Sequence, residues 1–270
     1  MPTLLTAAAL AMNVIRWKWL LAAVGVRIDL SSATKLGCIG YASAFFSIGT
    51  LGGDVLKASL LAKQLQGRGK DIFVATAIDG ILGLYSLSIL AGLCFCGTHY
   101  FSSQEVHPQL IAIGCLACGA VIIGAPLMAV FRVPRISLRG YVCAVAISLI
   151  SQSMIVVSVY SIASRIHRTE LLPSFIDHFI LVPVALLAAA APFSPGGIGI
   201  FEVTLDWMYT ISVTVLPLPS GVLVGLAFNL VKLLLAAAAI SLYFVLGSFS
   251  SIGGSTIRAK SACENQYFET

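Results

Sequence analysis

Charge is too scarce in this chain for a fold covered by water. Asp, Glu, Lys and Arg make up 10% of its 270 residues and hydrophobic residues 59%, whereas a soluble domain carries roughly 25% charged residues. So few charges cannot cover a water-facing surface, so the solvent around most of the exterior has to be lipid. A mean hydropathy of +0.99 agrees. In lipid every backbone polar group must be satisfied internally. The expected fold is therefore all-α: a polytopic membrane helix bundle over residues 1–250, followed by a polar tail over 251–270.

A spanning helix needs about 20 apolar residues. Ile72–Gly97, Gln109–Phe131, Gly140–Ala163 and Val222–Leu246 meet this as uninterrupted runs. The N-terminal run up to Ile15 is short for a full span. It ends in Arg16-Trp17-Lys18-Trp19, and basic and aromatic residues together favour the headgroup layer, so Arg16, Trp17 and Trp19 are expected as interface anchors. The run lacks the basic start of a cleavable signal and reads as a mature helix.

Two further apolar regions are broken. Ala33–Ala62 is split by Gly49-Thr50-Leu51-Gly52-Gly53-Asp54, and Phe175–Thr214 by Pro192-Phe193-Ser194-Pro195-Gly196-Gly197. Pro and Gly at this density stop a helix. Each half is about 14–18 residues, short for a crossing at 1.5 Å per residue. Two half-helices that enter and leave on one side fit better, and such breaks persist at membrane depth only when buried in protein or lining a wet cavity.

The charges fit two such re-entrant pairs. With Arg16 and Lys18 cytoplasmic, the first pair returns to the cytoplasm at Lys63, Arg68 and Lys70. Thr98 to His107, free of Lys and Arg, then lies outside, and Arg132, Arg135 and Arg139 lie inside. The second pair starts and ends outside, and Arg258 and Lys260 place the C-terminus in the cytoplasm. Only Arg165 and Arg168 violate the positive-inside bias. The two pairs then enter from opposite faces, as in transporters whose binding site lies between opposed broken helices. The expected location is a cell (inner) membrane.

Metal, cofactor and nucleic acid are not expected. Six of the seven cysteines lie in apolar sequence, where Cys behaves as a small hydrophobe, and no basic patch is interleaved with aromatics. His99, His107, His167 and His178 fall in or near the expected outer loops and are assigned no role. Intramembrane proteolysis has no motif: H-E-x-x-H is absent, Leu51 precedes Gly52-Gly53-Asp54, Ile78 precedes Asp79, and no Gly-x-Ser-Gly occurs.

Several polar residues remain inside apolar sequence. Gly52, Gly53, Asp54 and Lys57 open the second half of the first pair. A helix N-terminus with exposed glycine backbone and an ammonium one turn on could hold a lipid phosphate; equally, Asp54 could cap the helix and pair with Lys57. Asp79 lies within a continuous span, where a carboxylate is a functional candidate unless it pairs with a basic neighbour. Ser194, Gly196 and Gly197 free backbone groups before a new helix near Ile198. Glu202 and Asp206 then share a face, either as dipole partners or as a site for cations or protons. Lys232, one turn after Asn229, needs a partner, with Glu202 and Asp79 as candidates.

Taken in order, Arg16-Trp17-Lys-Trp-Leu20-Leu21, Gly49-Thr-Leu-Gly52-Gly53-Asp54-x-x-Lys57-Ala58, Asp79-x-x-x-Gly83-Leu84 and Ser194-Pro195-Gly196-Gly197-Ile198-Gly199-x-x-Glu202 resemble the lysylphosphatidylglycerol synthase transmembrane region family. The last motif is the most specific. The resemblance, roughly Val14 to Leu246, implies a flippase-like domain with paired re-entrant helices that handles a charged phospholipid or a polyprenyl-phosphate-linked lipid. An alternative role is to present a lipid-linked substrate to a glycosyltransferase or other lipid-modifying enzyme. The synthase domain is missing from this sequence, so aminoacyl transfer is not implied and no enzymatic activity is expected. Family members tend to begin with a further helix. They often carry Asn and Pro where Ala44 and Ile48 stand, and Arg where Gly80 stands, which removes an implied charge partner.

Overall fold

A computed structural model describes residues 1–47, 51–65, 67–97, 111–119, 138–167, 172–191, 194–212 and 220–246. The described residues form helices and connecting turns: α1 (Pro2–Ala23), α2 (Leu30–Ala44), α3 (Leu51–Gln64), α4 (Gly69–Gly97), α5 (helical over 111–119), α6 (Leu138–Ile166), α7 (His178–Ala190), α8 (Ile200–Ser212) and α9 (Ser220–Val245). The tail at 251–270, the loop at 98–107, and Arg132, Arg135 and Arg168 lie outside the described residues.

Among the described residues four helices are long and apolar enough to cross a membrane: Pro2–Ala23, Gly69–Cys96, Gly140–Ile166 and Ser220–Val245; most of the expected span Gln109–Phe131 lies outside the described residues. Three of these coincide with runs expected from the sequence. The first corrects an expectation. The N-terminal helix does not stop before Arg16; it starts on Pro2 and runs through the Arg-Trp-Lys-Trp stretch to Ala23, ending before Gly25 at φ 87°, a backbone state glycine adopts without strain. Large apolar side chains such as Leu4, Leu93, Leu116, Leu233, Leu234 and Phe244 point outward, as a lipid-facing surface requires.

The helices flanking the two interruptions are short. At 15, 14, 13 and 13 residues, α2, α3, α7 and α8 reach roughly 20–22 Å, against a hydrocarbon core of roughly 30 Å. Local chemistry sets their ends. Asp29 caps α2, its carboxylate accepting from the Ser32 amide at 3.2 Å. Ser174 and Asp177 exchange side-chain bonds with each other's amides at 2.9 and 3.1 Å just before α7. Ala191 is extended, the state favoured for a residue before a proline.

Each short pair begins and ends at one end of the bundle. Arg68, just after α3, donates to the Gly25 carbonyl, just before α2, at 2.7 Å. At the other end, His178 opens α7 and meets Tyr209 near the end of α8 at 2.8 Å. The helices α1 and α6 run antiparallel, since Thr6 meets Ser158, Ser151 donates to Asn13, and Arg16 reaches Ser148. The end of α1 and the end of α6 are therefore opposite ends, and the two pairs lie between them.

Two apolar cores follow the same division. One gathers Trp17, Leu20, Leu36, Leu61, Ile72 and Leu82 from α1 to α4. The other gathers Val156, Leu181, Phe201, Met208 and Phe228 from α6 to α9.

Candidate functional site

A buried ion network lies where α1, α3, α4 and α6 meet. Arg16 Nε donates to Asp79 Oδ1 at 2.7 Å, its Nη2 to the Asp79 carbonyl at 3.0 Å, and its Nη1 to Ser148 Oγ. Lys57 Nζ lies 2.7 Å from Asp54 Oδ1 and 3.8 Å from Asp79 Oδ2. It also sits 4.9 Å from the centre of the Trp17 ring, where the π face attracts an ammonium. Trp17 Nε1 donates to Thr76 at 3.0 Å. Two cations face two carboxylates, so the network is neutral as built. Asp54 is its most open member, with a third of its side chain exposed.

These contacts correct the anchor reading of Arg16 and Trp17. Both are buried, at 4% and 1% exposure; the cost of a mid-bundle guanidinium is met by Asp79 and Ser148 rather than by headgroups. Trp19 alone stays on the surface. Arg16 also supplies the charge partner that Gly80 cannot. A side chain at 80 would approach Asp54 instead, since an ideal Cβ there lies 3.8 Å from Asp54 Oδ2.

The Gly52-Gly53 pair is corrected too. A Cβ on Gly53 would fall 2.1 Å from the Gly40 carbonyl oxygen, and one on Gly52 would fall 2.2 Å from Ser47 Cβ. These glycines let α3 pack directly on α2 and its end; Gly53 is buried against Gly40, while Gly52 is half-buried.

The second cluster is built on the Ser-Pro-Gly-Gly turn. Gly196, Gly197 and Gly199 take φ of 61°, 74° and 88°, which allows α8 to start immediately afterwards. Glu202 is buried at 3% exposure. Its Oε2 accepts from the Gly199 amide at 2.8 Å and its Oε1 from Asn229 Nδ2, so the carboxylate caps its own helix and clamps α9. Gly225 makes room for it: a Cβ there would lie 2.7 Å from Glu202 Cγ. Asp206, expected either as a dipole partner or as part of a cation or proton site, caps the start of α9: its Oδ1 accepts from the Gly221 and Val222 amides at 2.7 and 3.3 Å.

Lys232 has neither of the carboxylate partners expected for it. Among the described residues no carboxylate oxygen lies within 4.0 Å of its ammonium. Three rings surround it instead: Phe228 at 5.5 Å, Phe201 at 5.9 Å and Phe45 at 6.0 Å. Two residues before Gly196, the Ser194 hydroxyl is buried without a hydrogen-bond partner, as is the side-chain oxygen of Asn229, one turn before Lys232 on α9.

The two interruptions touch at this point. The Gly196 amide donates to the Ser47 carbonyl at 3.3 Å, and Gly196 packs on Ala44 and Phe45 at the end of α2. Phe45 ends α2 just before the first interruption and Phe201 lies in the first turn of α8 just after the second, and Lys232 lies over both.

One buried group escaped the sequence reading. His178, the first residue of α7, is fully buried, with Nε2 2.8 Å from the Tyr209 hydroxyl and Nδ1 2.9 Å from the Ser174 carbonyl. The Ser174-x-x-Asp177 pattern marks the helix start, yet nothing in it says that the next side chain turns inward. Among the described residues no cluster of three or more His, Cys, Asp or Glu could hold a metal.

The model of the lysylphosphatidylglycerol synthase TM region family matches residues 1–240. No curated protein and no solved structure matches the chain. The chain belongs to the lysylphosphatidylglycerol synthase TM region family and is a helical membrane protein.

Proposed function

We propose that this member of the lysylphosphatidylglycerol synthase TM region family is a flippase-like transporter of a charged membrane lipid. The observation that carries the reading is the junction at Gly196 and Ser47, where both interruptions meet beneath Lys232. Helices of 13 to 15 residues that start and end together fit re-entrant pairs, one from each face of the bilayer. Irregular backbone is tolerated there because protein surrounds it. Polar groups at the junction and in the Arg16–Asp79–Lys57–Asp54 network give a charged headgroup two polar stations along a path lined by apolar helices. Arg27 and Arg68 near the end of α1 and the end of α3 support a cytoplasmic position for that end in a cell (inner) membrane, by the positive-inside bias.

Lipid movement tests this directly. Proteoliposomes carrying the full chain and fluorescent phosphatidylglycerol are exposed to a membrane-impermeant quencher. The wild type should expose inner-leaflet lipid faster than empty liposomes, and Glu202→Gln and Lys57→Ala should slow it. Equal rates in all three proteins would sink the site assignment. A stable complex with a transferase, and no movement by the chain alone, would favour a lipid-presenting role instead.

A further inference from the structure

We infer that Lys232 is the anchor for the phosphate group of the lipid headgroup, with the Ser194 hydroxyl as a second donor. The inference rests on the junction being a lipid site, and it deepens that reading by naming the chemistry held there. Lys232 is the thirteenth residue of the 26-residue α9, so roughly 18 Å of helix separates it from either end. A lysine side chain is too short to bring its ammonium to the headgroup layer from that depth. A charge at the bilayer centre is costly and needs compensation, and here the protein supplies three aromatic faces at 5.5–6.0 Å and the Glu202 carboxylate from beyond ion-pair distance.

Glu202 is held by the Gly199 amide and Asn229 and makes no direct ion pair with Lys232, which leaves the ammonium open to an anion in contact. Lys57, the cation that the sequence favoured for this task, is already flanked by Asp54 and Asp79. Lys232 is partly exposed while Asn229 is nine-tenths buried, so the cluster opens outward from α9.

Orphan polar atoms define the ligand further. Ser194 Oγ and Asn229 Oδ1 are both buried and unpaired, and such atoms are costly unless something bonds them. A phosphate oxygen accepts from the ammonium and from the Ser194 hydroxyl. Asn229 Oδ1 only accepts, so it suits a hydroxyl or N–H on the same headgroup. A phosphate ester with a donor group beyond it satisfies all three. Phosphate could also come as the free ion, so both sources enter the test.

Binding is measured on the purified full chain in detergent by calorimetry, with dihexanoyl phosphatidylglycerol, dihexanoylglycerol and inorganic phosphate as probes. The wild type should bind the phosphatidylglycerol and neither of the others comparably. Lys232→Met should weaken binding by roughly tenfold or more, the weight of a charged hydrogen bond. Lys232→Arg should retain it, and Lys63→Met, at the exposed end of α3, should change it less than about threefold. Thermal unfolding controls for folding: Lys232→Met removes a mid-bundle charge without an ion pair and should not lower the midpoint. Wild-type affinity in Lys232→Met, or dihexanoylglycerol binding as tightly as the phospholipid, overturns the inference. Inorganic phosphate binding as tightly as the phospholipid overturns the headgroup assignment. Absence of lipid movement with Lys232-dependent binding intact would refute transport and leave the phosphate site standing.

Discussion

Arg16 and Asp79 offer the sharpest energetic test of the interior. Both are about 95% buried, and the guanidinium makes three hydrogen bonds, two of them to Asp79. Removing one partner of a buried ion pair costs about 3–5 kcal/mol, because the other charge is left in a medium that cannot solvate it. The two single changes should differ. Asp79→Leu strands a guanidinium that cannot shed its proton and leaves Lys57 and Arg16 facing Asp54 alone. Arg16→Leu leaves a carboxylate that still has Lys57 at 3.8 Å and that can take up a proton. Asp79→Leu should therefore be the more destabilising. The double variant Arg16→Leu/Asp79→Leu removes both charges, so it should cost less than the sum of the singles by about 1.5–3 kcal/mol. Thermal unfolding of the purified protein in detergent reads this, at about 2–4 °C per kcal/mol for a chain of this size. Additive costs within about 0.5 kcal/mol, or Arg16→Leu proving the harsher single change, would refute the network as described.

Other expectations rest on separate parts of the fold. Gly53→Ala and Gly197→Ala drive a Cβ to 2.1 and 2.6 Å from backbone oxygens, whereas Gly199→Ala meets nothing within 4 Å; the first two should lower the unfolding midpoint well beyond the roughly 1 kcal/mol of backbone strain expected for the third. Tyr209→Phe strips His178 Nε2 of its partner at 2.8 Å and should cost about 1–3 kcal/mol, seen in the same unfolding assay; an unchanged midpoint would mean the pair carries no load. Cys96 and Cys118 have sulfurs 3.6 Å apart, so mild oxidation should join α4 to α5 and remove two free thiols by mass spectrometry, an effect that Cys96→Ser should abolish.

The membrane class and most helix positions are legible in the sequence because they follow from bulk composition and from Gly and Pro. The interruptions are legible for the same reason: no other reading accommodates Pro195-Gly196-Gly197 inside an apolar run. The direction of individual side chains is not. Arg16-Trp17 has the composition of an interface anchor, and only the antiparallel crossing of α1 with α6 and its packing on α4 turns it inward onto Asp79 and Thr76. The Gly52-Gly53 pair has the composition of a ligand cradle, yet the close approach of Gly40 uses up the space. Asp206 reads as a dipole partner or part of a cation or proton site until the start of α9 arrives beside it, fifteen residues on. In each case the deciding partner is distant in sequence, and local pattern carries no information about it. Lys232 differs. Its mid-span position marks it in the sequence as a residue that needs a partner, and what the structure adds is that Glu202 and Asp79 bond to other groups.

The account turns on two interruptions that meet inside the bilayer without either pair crossing it. Single cysteines placed at Arg27, Ser47, Gly67 and Ser174 in a cysteine-free background, in sealed vesicles of known orientation, test this with an impermeant maleimide. Positions 27 and 67 should label from the cytoplasmic face and 174 from the opposite face, with 47 protected from both until the membrane is dissolved. Labelling of position 47 from the face opposite to 27 and 67 would show that α2 and α3 cross the bilayer, and would contradict the account.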